Sequence, residues 1–506
     1  MCLETHSGCG LTQGRNWNGF SAIDVRKRVV VPLPDDARYA SLSYMWGTPS
    51  DETIEHSGLP KNLPRTVDDS IIVAKSLGFK YLWVDRYCIP QIDGDAKRAH
   101  ISRMAELYSR STLTIIAVAG EGSNNGLPGV SIPRKSQISV RVGRRCLIAY
   151  DYSREEISRT KWATRGWTYQ EALLSSRRLV FTENHVYFQC GAMLASDEFR
   201  DPLENPGPVK SQRGEFNILG LAFPKRLDQV QYEQAGELIN EFQKRDLSYA
   251  SDGINAISGI LRIYEGRVLA GLPIPSNNGL NSLGCLSLAL AWTTDSYLWP
   301  ANSKMIRRSI FPSWTWAGWQ RPGGFSATNI YFELLSVQND EGEAVRADSS
   351  LIGKHYRCLI PHVVAHFADG LAMEWQSKED LIVTRSDNGE YPKHLELSGW
   401  TFHLCQLIGL PNLAHEGSPI SLLVQDLIEG GLPQDDMIAL VLGFGNILSF
   451  VSVQRSVVLL ILRRQGPYFE RLDMGLLDMN VESSFPESGE PSMPGLNLEF
   501  STILLT

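Results

Sequence analysis

Between Tyr39 and Ala119 the apolar positions switch back and forth between two spacings. "YASLSYMW" (residues 39–46), "KYLWVD" (80–85) and "TLTIIAVA" (112–119) are short apolar runs bounded by turn residues, and they predict strands. "RTVDDSIIVAKSLG" puts Val67, Ile71 and Ala74 on one helical face, with Thr66 and Asp69 at the spacing of a capping pair. "DAKRAHISRMAELYSRS" places Ile101, Met104, Ala105 and Tyr108 at i, i+3, i+4 and i+7, which predicts a second helix. Strand, helix, strand, helix, strand predicts an open α/β domain, a mainly parallel sheet with flanking helices. Ligands of such sheets bind at the carboxyl ends of the strands. Those ends carry Tyr44, Trp46 and Gly47 on the first strand and Asp85 on the second.

Beyond Cys190 the pattern changes. "YEQAGELINEFQKR" and "DGINAISGILRIY" read as helices, and from Phe311 onward short strands dominate, among them "IYFELLSV", "HLELSGWTFHLCQLIGL", "VVLLILRR" and "YFERLDM". The expected organisation is an N-terminal extension (1–38), the α/β domain (39–192), a mainly helical connector (193–310), a strand-rich α+β region (311–480) and a loosely ordered tail (481–506). The apolar stretch "MIALVLGFGNILSFVSV" is interrupted by Gly443, Gly445, Asn446 and Ser449. It reads as two buried strands turning at Gly445-Asn446 and not as a membrane span.

Composition narrows the function classes. The chain has 506 residues, 43% hydrophobic and 21% charged, which is ordinary for a globular protein. A net charge of −8 argues against a general nucleic-acid binder. The eight cysteines are scattered without a CxxC pair, and "MCLETHSGCGLTQGRNW" has no secretory leader, so reduced thiols and a cytoplasmic location are expected. No metal site is expected: His362-x-x-x-His366 lies in a strand-like stretch without the glutamate of a zincin helix. Cys88 reads as a buried thiol, and Trp314, Trp316 and Trp319 as core. There is no P-loop or GxGxxG, and no resident cofactor is expected.

The densest chemistry sits in "KWATRGWTYQEALLSSRRLVF". Trp167 and Glu171 are four apart, on one helical face. Thr168-x-x-Glu171 has capping-box spacing, so Glu171 is either a structural cap or the acid of a reaction. From Arg134 to Arg178 eleven basic residues stand against four acidic ones, either a solvated face or a phosphate-binding surface to which Arg165 belongs.

The blocks "YASLSYMWG", "LGFKYLWVDRYCIPQ", "MAELYSRSTLTIIAVAG", "GLPGV" and "RGWTYQE" with "SSRRLVFTENHVYFQC" follow, in order, those of the fungal heterokaryon-incompatibility (HET) domain, which this part of the chain resembles. "SYASDGINAISGIL" and "FPSWTWAGW" also resemble the C-terminal half of such proteins. Arg86-Tyr87 and Pro90 depart from the small or polar residues usual there, a change expected to alter a pocket wall. The resemblance implies a fungal cytosolic protein of self/non-self recognition and regulated cell death, acting as a homo-oligomer or with other cell-death signalling proteins. The HET domain is in turn remotely similar to Toll/interleukin-receptor (TIR) domains, through the first strand end at Ser43-Tyr44, the acidic Asp85, and Trp167 with Glu171. In NAD-cleaving TIR domains the helix glutamate is catalytic. That similarity implies NAD or a related nucleotide as substrate, with Glu171 and Asp85 catalytic, Trp46 or Trp167 stacking on a base, Arg165 on a phosphate, and Tyr44 and Gly47 lining the site. Two alternatives stay open: a non-enzymatic self-associating module with "WTYQE" as assembly face, and a biosynthetic enzyme acting on a small molecule.

Overall fold

The structure, a computed structural model, describes residues 19–47, 59–91, 94–135, 139–143, 145–148, 157–190, 194–196, 230, 232–275, 280–294, 306–320, 330–331, 336–338, 344–346, 356–387, 389–410, 436–448, 453–478, 491–493 and 495–506. The chain divides into one unit of Met1–Asp228 with Arg245–Ile260, and a second of Gln229–Lys244 with Leu261–Thr506.

In chain order the first unit contains β1 (Ser21–Asp24), β2 (Val29–Pro32), β3 (Tyr39–Ser43), α1 (Arg65–Ser76), β4 (Tyr81–Trp83), α2 (Asp85–Cys88), α3 (Asp95–Ser102), α4 (Met104–Arg110) and β5 (Leu113–Ala117). The hairpin β6 (Ser139–Val142) and β7 (Arg145–Ile148), α5 (Lys161–Thr164), α6 (Gly166–Leu174), β8 (Arg177–Phe181), β9 (Val186–Cys190) and β10 (Leu194–Ser196) follow. The sheet has the order β10-β9-β8-β5-β3-β4-β1-β2. Its four central strands, β8, β5, β3 and β4, are parallel. The outer strands pair antiparallel on both sides. Every residue of β3 and β5 is buried, as a sheet covered on both faces requires. The chain leaves β3 to one side for β4 and then crosses to the other side for β5. At such a reversal, outside the carboxyl end of β3, open α/β sheets place their ligands.

Two local expectations are corrected. The single helix expected over residues 95–111 is two short helices, α3 and α4, broken at Arg103, whose guanidinium stands 4.2 Å from the centre of the Phe20 ring. Thr66 and Asp69 do not cap α1, whose N-cap is Pro64. Instead Thr66 accepts the Gly126 amide (3.1 Å), and Asp69 accepts the Leu127 amide (2.6 Å) and the Ser131 hydroxyl (2.7 Å). The pair anchors the "GLPGV" loop.

The second unit is built on strands β11 (Tyr356–Cys358), β12 (His362–His366), β13 (Ala372–Glu374), β14 (His394–His403), β15 (Met437–Leu448), β16 (Val453–Gln465), β17 (Tyr468–Asp478) and β18 (Glu499–Leu505). Their order is β11-β15-β16-β17-β18-β14-β12-β13, and β14 also pairs with β15, so five of them close into a ring. The seam between β17 and β18 is thin: one parallel register pair, Phe469 with Leu505, and the Thr506 amide on the Phe469 carbonyl at 2.9 Å. Met437, Ala439 and Val441 of β15 pack with Val457, Leu459 and Ile461 of β16, and the alternate residues Ile438, Leu440, Leu442, Val458, Leu460 and Leu462 are buried as well. A strand buried on both faces is apolar throughout, which accounts for the stretch after Met437.

The turn expected at Gly445-Asn446 does not form; β15 runs through it with a bulge between Val441 and Gly443. A Cβ on Gly443 would lie 2.5 Å from the Arg357 carbonyl oxygen, so only glycine fits that close approach. The tail expected to be loosely ordered contributes β18, held by seven register pairs to β14. Trp314 and Trp316 are fully buried within this unit, with indole N–H groups of Trp316 and Trp319 on the carbonyls of Gly271 (2.7 Å) and Ser313 (2.8 Å). Among the described residues, no helix is long and apolar enough to cross a membrane.

Candidate functional site

The carboxyl end of β3 sets the site. Tyr44 follows the last strand residue and is buried, and Gly47 turns the chain with φ of +77°. A Cβ on Gly47 would stand 3.2 Å from the Gly122 Cα, so the loop after β3 packs against the loop after β5. One strand over, Asp85 lies just beyond β4 and opens α2. Its Oδ1 accepts the Arg86 amide (2.7 Å) and its Oδ2 accepts the Trp46 indole N–H (2.9 Å). The Arg86 guanidinium stands 5.8 Å from the centre of the Trp46 ring.

Glu171 comes from α6, and it is not a cap. The N-cap of α6 is Arg165, which makes no side-chain capping bond, and Thr168 lies inside the helix. Thr168 donates its hydroxyl to the carbonyls of Trp162 (2.6 Å) and Arg165 (2.9 Å). The Glu171 carboxylate points across to β3, where Oε2 accepts the Ser43 hydroxyl at 2.5 Å. Ser43 Oγ in turn accepts the Trp162 indole N–H at 2.9 Å. Tyr108 of α4, whose hydroxyl donates to the Leu42 carbonyl (3.1 Å), faces the same carboxylate.

These placements couple the two acids electrostatically. Burial, then the charge of Asp85, pushes the Glu171 carboxyl up to about 7; the Ser43 bond, Arg165 and Tyr108 offset part of that. Burial pushes Asp85 up to about 6 against the opposing pull of the Arg86 amide, Trp46 and the two arginines. Glu171 is 5% exposed, whereas Asp85 keeps partial solvent access. Asp85 is thus the outer acid and Glu171 the inner one. The Tyr44 hydroxyl is buried with no hydrogen-bond partner among the described residues, and burial, then Asp85, raises its pKa well above the ordinary value. An unpaired buried hydroxyl costs about 1–3 kcal/mol, so a native fold keeps one mainly where a ligand or water completes it.

Of the expected site residues, Tyr44, Trp46, Asp85, Arg165 and Glu171 come together. The Arg165 side chain makes long contacts among the described residues, 3.5 Å to the Tyr44 carbonyl and 3.9 Å to the Met45 sulfur, and its charge acts on both acids. Gly47 shapes the loop. Trp167 is turned elsewhere: its indole N–H donates to Asp252 at 3.0 Å, in a stretch that also pins the start of α6 through the Gly166 amide on the Asp246 carbonyl (2.8 Å) and Arg245 over the Tyr169 ring (4.5 Å). Among the described residues, the basic run includes both paired lysines and buried arginines. Lys135 pairs with Glu183 and Lys161 with Glu121, while Arg177 and Arg178 are buried with donors on backbone carbonyls. No group of His, Cys, Asp and Glu among the described residues could hold a metal. Sequence reasoning missed Ser43, Tyr108 and Trp162 as partners of the acid, although each lies inside a stretch that predicts a site element.

The family model for Heterokaryon incompatibility protein (HET) matches residues 39–171. The chain carries a HET domain. The match begins on the first residue of β3 and ends on Glu171, so β1, β2 and β8 to β10 complete the sheet outside the matched segment. No curated protein and no solved structure matches the chain. All the residues that meet around the two acids, from Ser43 to Glu171, belong to the HET segment.

Proposed function

We propose that the HET domain cleaves the nicotinamide–ribose bond of NAD or a related nucleotide, with Asp85 and Glu171 as its acids. The HET match gives the chain a heterokaryon-incompatibility-related role, and cleavage would act there as a cell-death effector. One observation supports the reading: two carboxylates from distant chain segments both have pKa values raised by burial, that of Glu171 further by the charge of Asp85, beside Arg165 and an unpaired buried hydroxyl, Tyr44. The remote likeness to TIR domains points to the same chemistry.

In that reaction the C1′–N bond breaks with both electrons passing to the nicotinamide ring, which leaves neutral. Positive charge builds on the ribose, and water adds to C1′ while giving up a proton. Asp85, the outer and more ionised acid, holds the ribose hydroxyls and stabilises the positive charge. Glu171, poised at about 7, takes the proton of the attacking water. Tyr44 donates to a ribose oxygen, Arg165 binds a phosphate, Gly47 keeps the loop close, and Trp46 stacks on a base. Trp167, tied to Asp252, holds the start of α6 in place. The side chains from Thr168 to Glu171 are buried, which leaves "WTYQE" little surface for an assembly face.

The test is nicotinamide release from NAD by the purified full chain, followed chromatographically. Asp85→Asn and Glu171→Gln each lower the rate by about 10²–10³ while the protein still folds. A wild-type protein that releases no nicotinamide from NAD or its phosphorylated analogue ends this reading.

A further inference from the structure

The second unit encloses a cavity of about 700 Å³, far in sequence from both acids of the HET segment. That size lies within the roughly 300–1,000 Å³ of small-molecule sites. Residues 307, 309–312, 367–369, 385 and 389–394 wall it, together with Thr506. Its apolar surface includes the rings of Phe311, Phe367 and Tyr391, the first two buried to 5% exposure.

Three basic side chains, Arg307, Arg385 and Lys393, and two acidic ones, Asp369 and Glu390, line the cavity beside this apolar wall. The Arg385 guanidinium stands 4.5 Å from the centre of the Phe367 ring; its Nη2 pairs with Asp369 (2.7 Å) and Glu390 (2.8 Å) at the rim. Its Nε is buried and has no partner among the described residues. His394 stacks on Tyr468 at 4.6 Å, and its Nδ1 is likewise buried and without a partner. Burial, then His366 and Lys393, holds its imidazole below the ordinary value and so neutral. Arg307, on the wall, pairs with Glu470 (3.0 Å), a carboxylate behind the wall that Arg463 shares. Lys393 is exposed and makes no side-chain pair among the described residues.

We propose that this cavity is a binding site for an aromatic carboxylate. The rings take the flat body, and the positive charges of Arg385, Arg307 and Lys393, which line the cavity, attract the carboxylate. A cationic ligand meets the arginine wall. A phosphate ester, with its second negative charge, meets Asp369 and Glu390 at the rim. A monoanion avoids both penalties.

The full chain is titrated calorimetrically with indole-3-acetate and benzoate, with the matching amides, and with phenyl phosphate. Both carboxylates bind, and amides and phosphate bind at least about tenfold more weakly, the loss expected when a charge-assisted hydrogen bond is removed. Arg385→Gln weakens carboxylate binding by a similar factor. Because that change also frees Asp369 and Glu390, Ala368→Trp is the second variant: it fills the cavity from an exposed wall position and abolishes binding while the melting temperature holds. Equal affinity for acid and amide, binding that survives Ala368→Trp, or no carboxylate binding at millimolar concentration overturns the proposal.

Discussion

Ser43 and Glu171, 128 positions apart in the chain, meet through a 2.5 Å hydrogen bond from the hydroxyl to the carboxylate. That bond favours the ionised acid and opposes burial and the charge of Asp85. Ser43→Ala removes it. The variant loses about 1.5–3 kcal/mol, the range for a hydrogen bond to a charged group, and the Glu171 carboxyl rises above its present value near 7. If Glu171 takes a proton in the reaction, the pH of half-maximal nicotinamide release moves upward. An unchanged midpoint in a folded Ser43→Ala protein means another group titrates.

Stability also depends on pH through this acid. The Glu171 carboxyl is held at about 7 in the fold against an ordinary 4.5, so the folded protein binds more protons than the unfolded chain between those values. Its contribution is fully present below about 4.5 and is lost as the pH rises through 7, a difference on the order of 3 kcal/mol. Glu171→Gln removes that slope. Denaturant melts of wild type and variant at intervals from pH 4.5 to 7.5 check this: relative to the variant, the wild type gains stability as the pH falls.

Asp69 anchors a loop and caps no helix. Asp69→Ala leaves the Leu127 amide, in a fully buried residue, and the Ser131 hydroxyl without their acceptor, a loss of about 1–3 kcal/mol. The destabilisation concentrates in the "GLPGV" loop. Limited proteolysis reads it as new cleavage between Gly120 and Ser131, while secondary structure measured by circular dichroism stays constant.

Gly443 answers to a carbonyl. Gly443→Ala drives a methyl group against the Arg357 oxygen and the Tyr356 ring, and the strand must shift. Overpacking of this kind costs about 1–3 kcal/mol. Gly466→Ala, at an open turn where an added Cβ meets nothing within 4 Å, is the comparison, although its φ of +65° carries a smaller strain of its own. A Gly443→Ala protein that melts with the wild type contradicts the close approach.

The central sheet is legible in the sequence because β3 and β5 are buried at every position, and a short unbroken apolar run between turn residues fits a covered strand better than an amphipathic helix. Tyr44, Trp46 and Asp85 follow from the carboxyl-end rule. The role of Glu171 is not legible. Thr168-x-x-Glu171 satisfies a local spacing rule, but the helix starts three residues earlier, at the N-cap Arg165, and the carboxylate is drawn to Ser43 by a contact only the closed fold creates. Ser43, Tyr108 and Trp162 escape for the same reason: each is an ordinary core residue until its distant partner is known. Gly445-Asn446 fails in the opposite direction. A strong turn dipeptide loses to cross-strand pairing, because β16 lies alongside β15 over its whole length.

The ring of the second unit sets an order of events during synthesis. β14 is complete at His403, yet its neighbour β18 begins only at Glu499, so a ribosome must add nearly a hundred residues before the two can pair. Until then β14 presents a row of backbone donors and acceptors that β18 will later pair, the kind of edge that recruits strands from other chains. Closure by such distant partners is slow, because the long loop must be ordered before any pairing repays it. A nascent chain stalled before Glu499 therefore holds a nearly finished sheet with β14 open along the seven positions that β18 covers. Chaperone demand and aggregation should peak at that stage of translation, and the last seven-residue strand ends it.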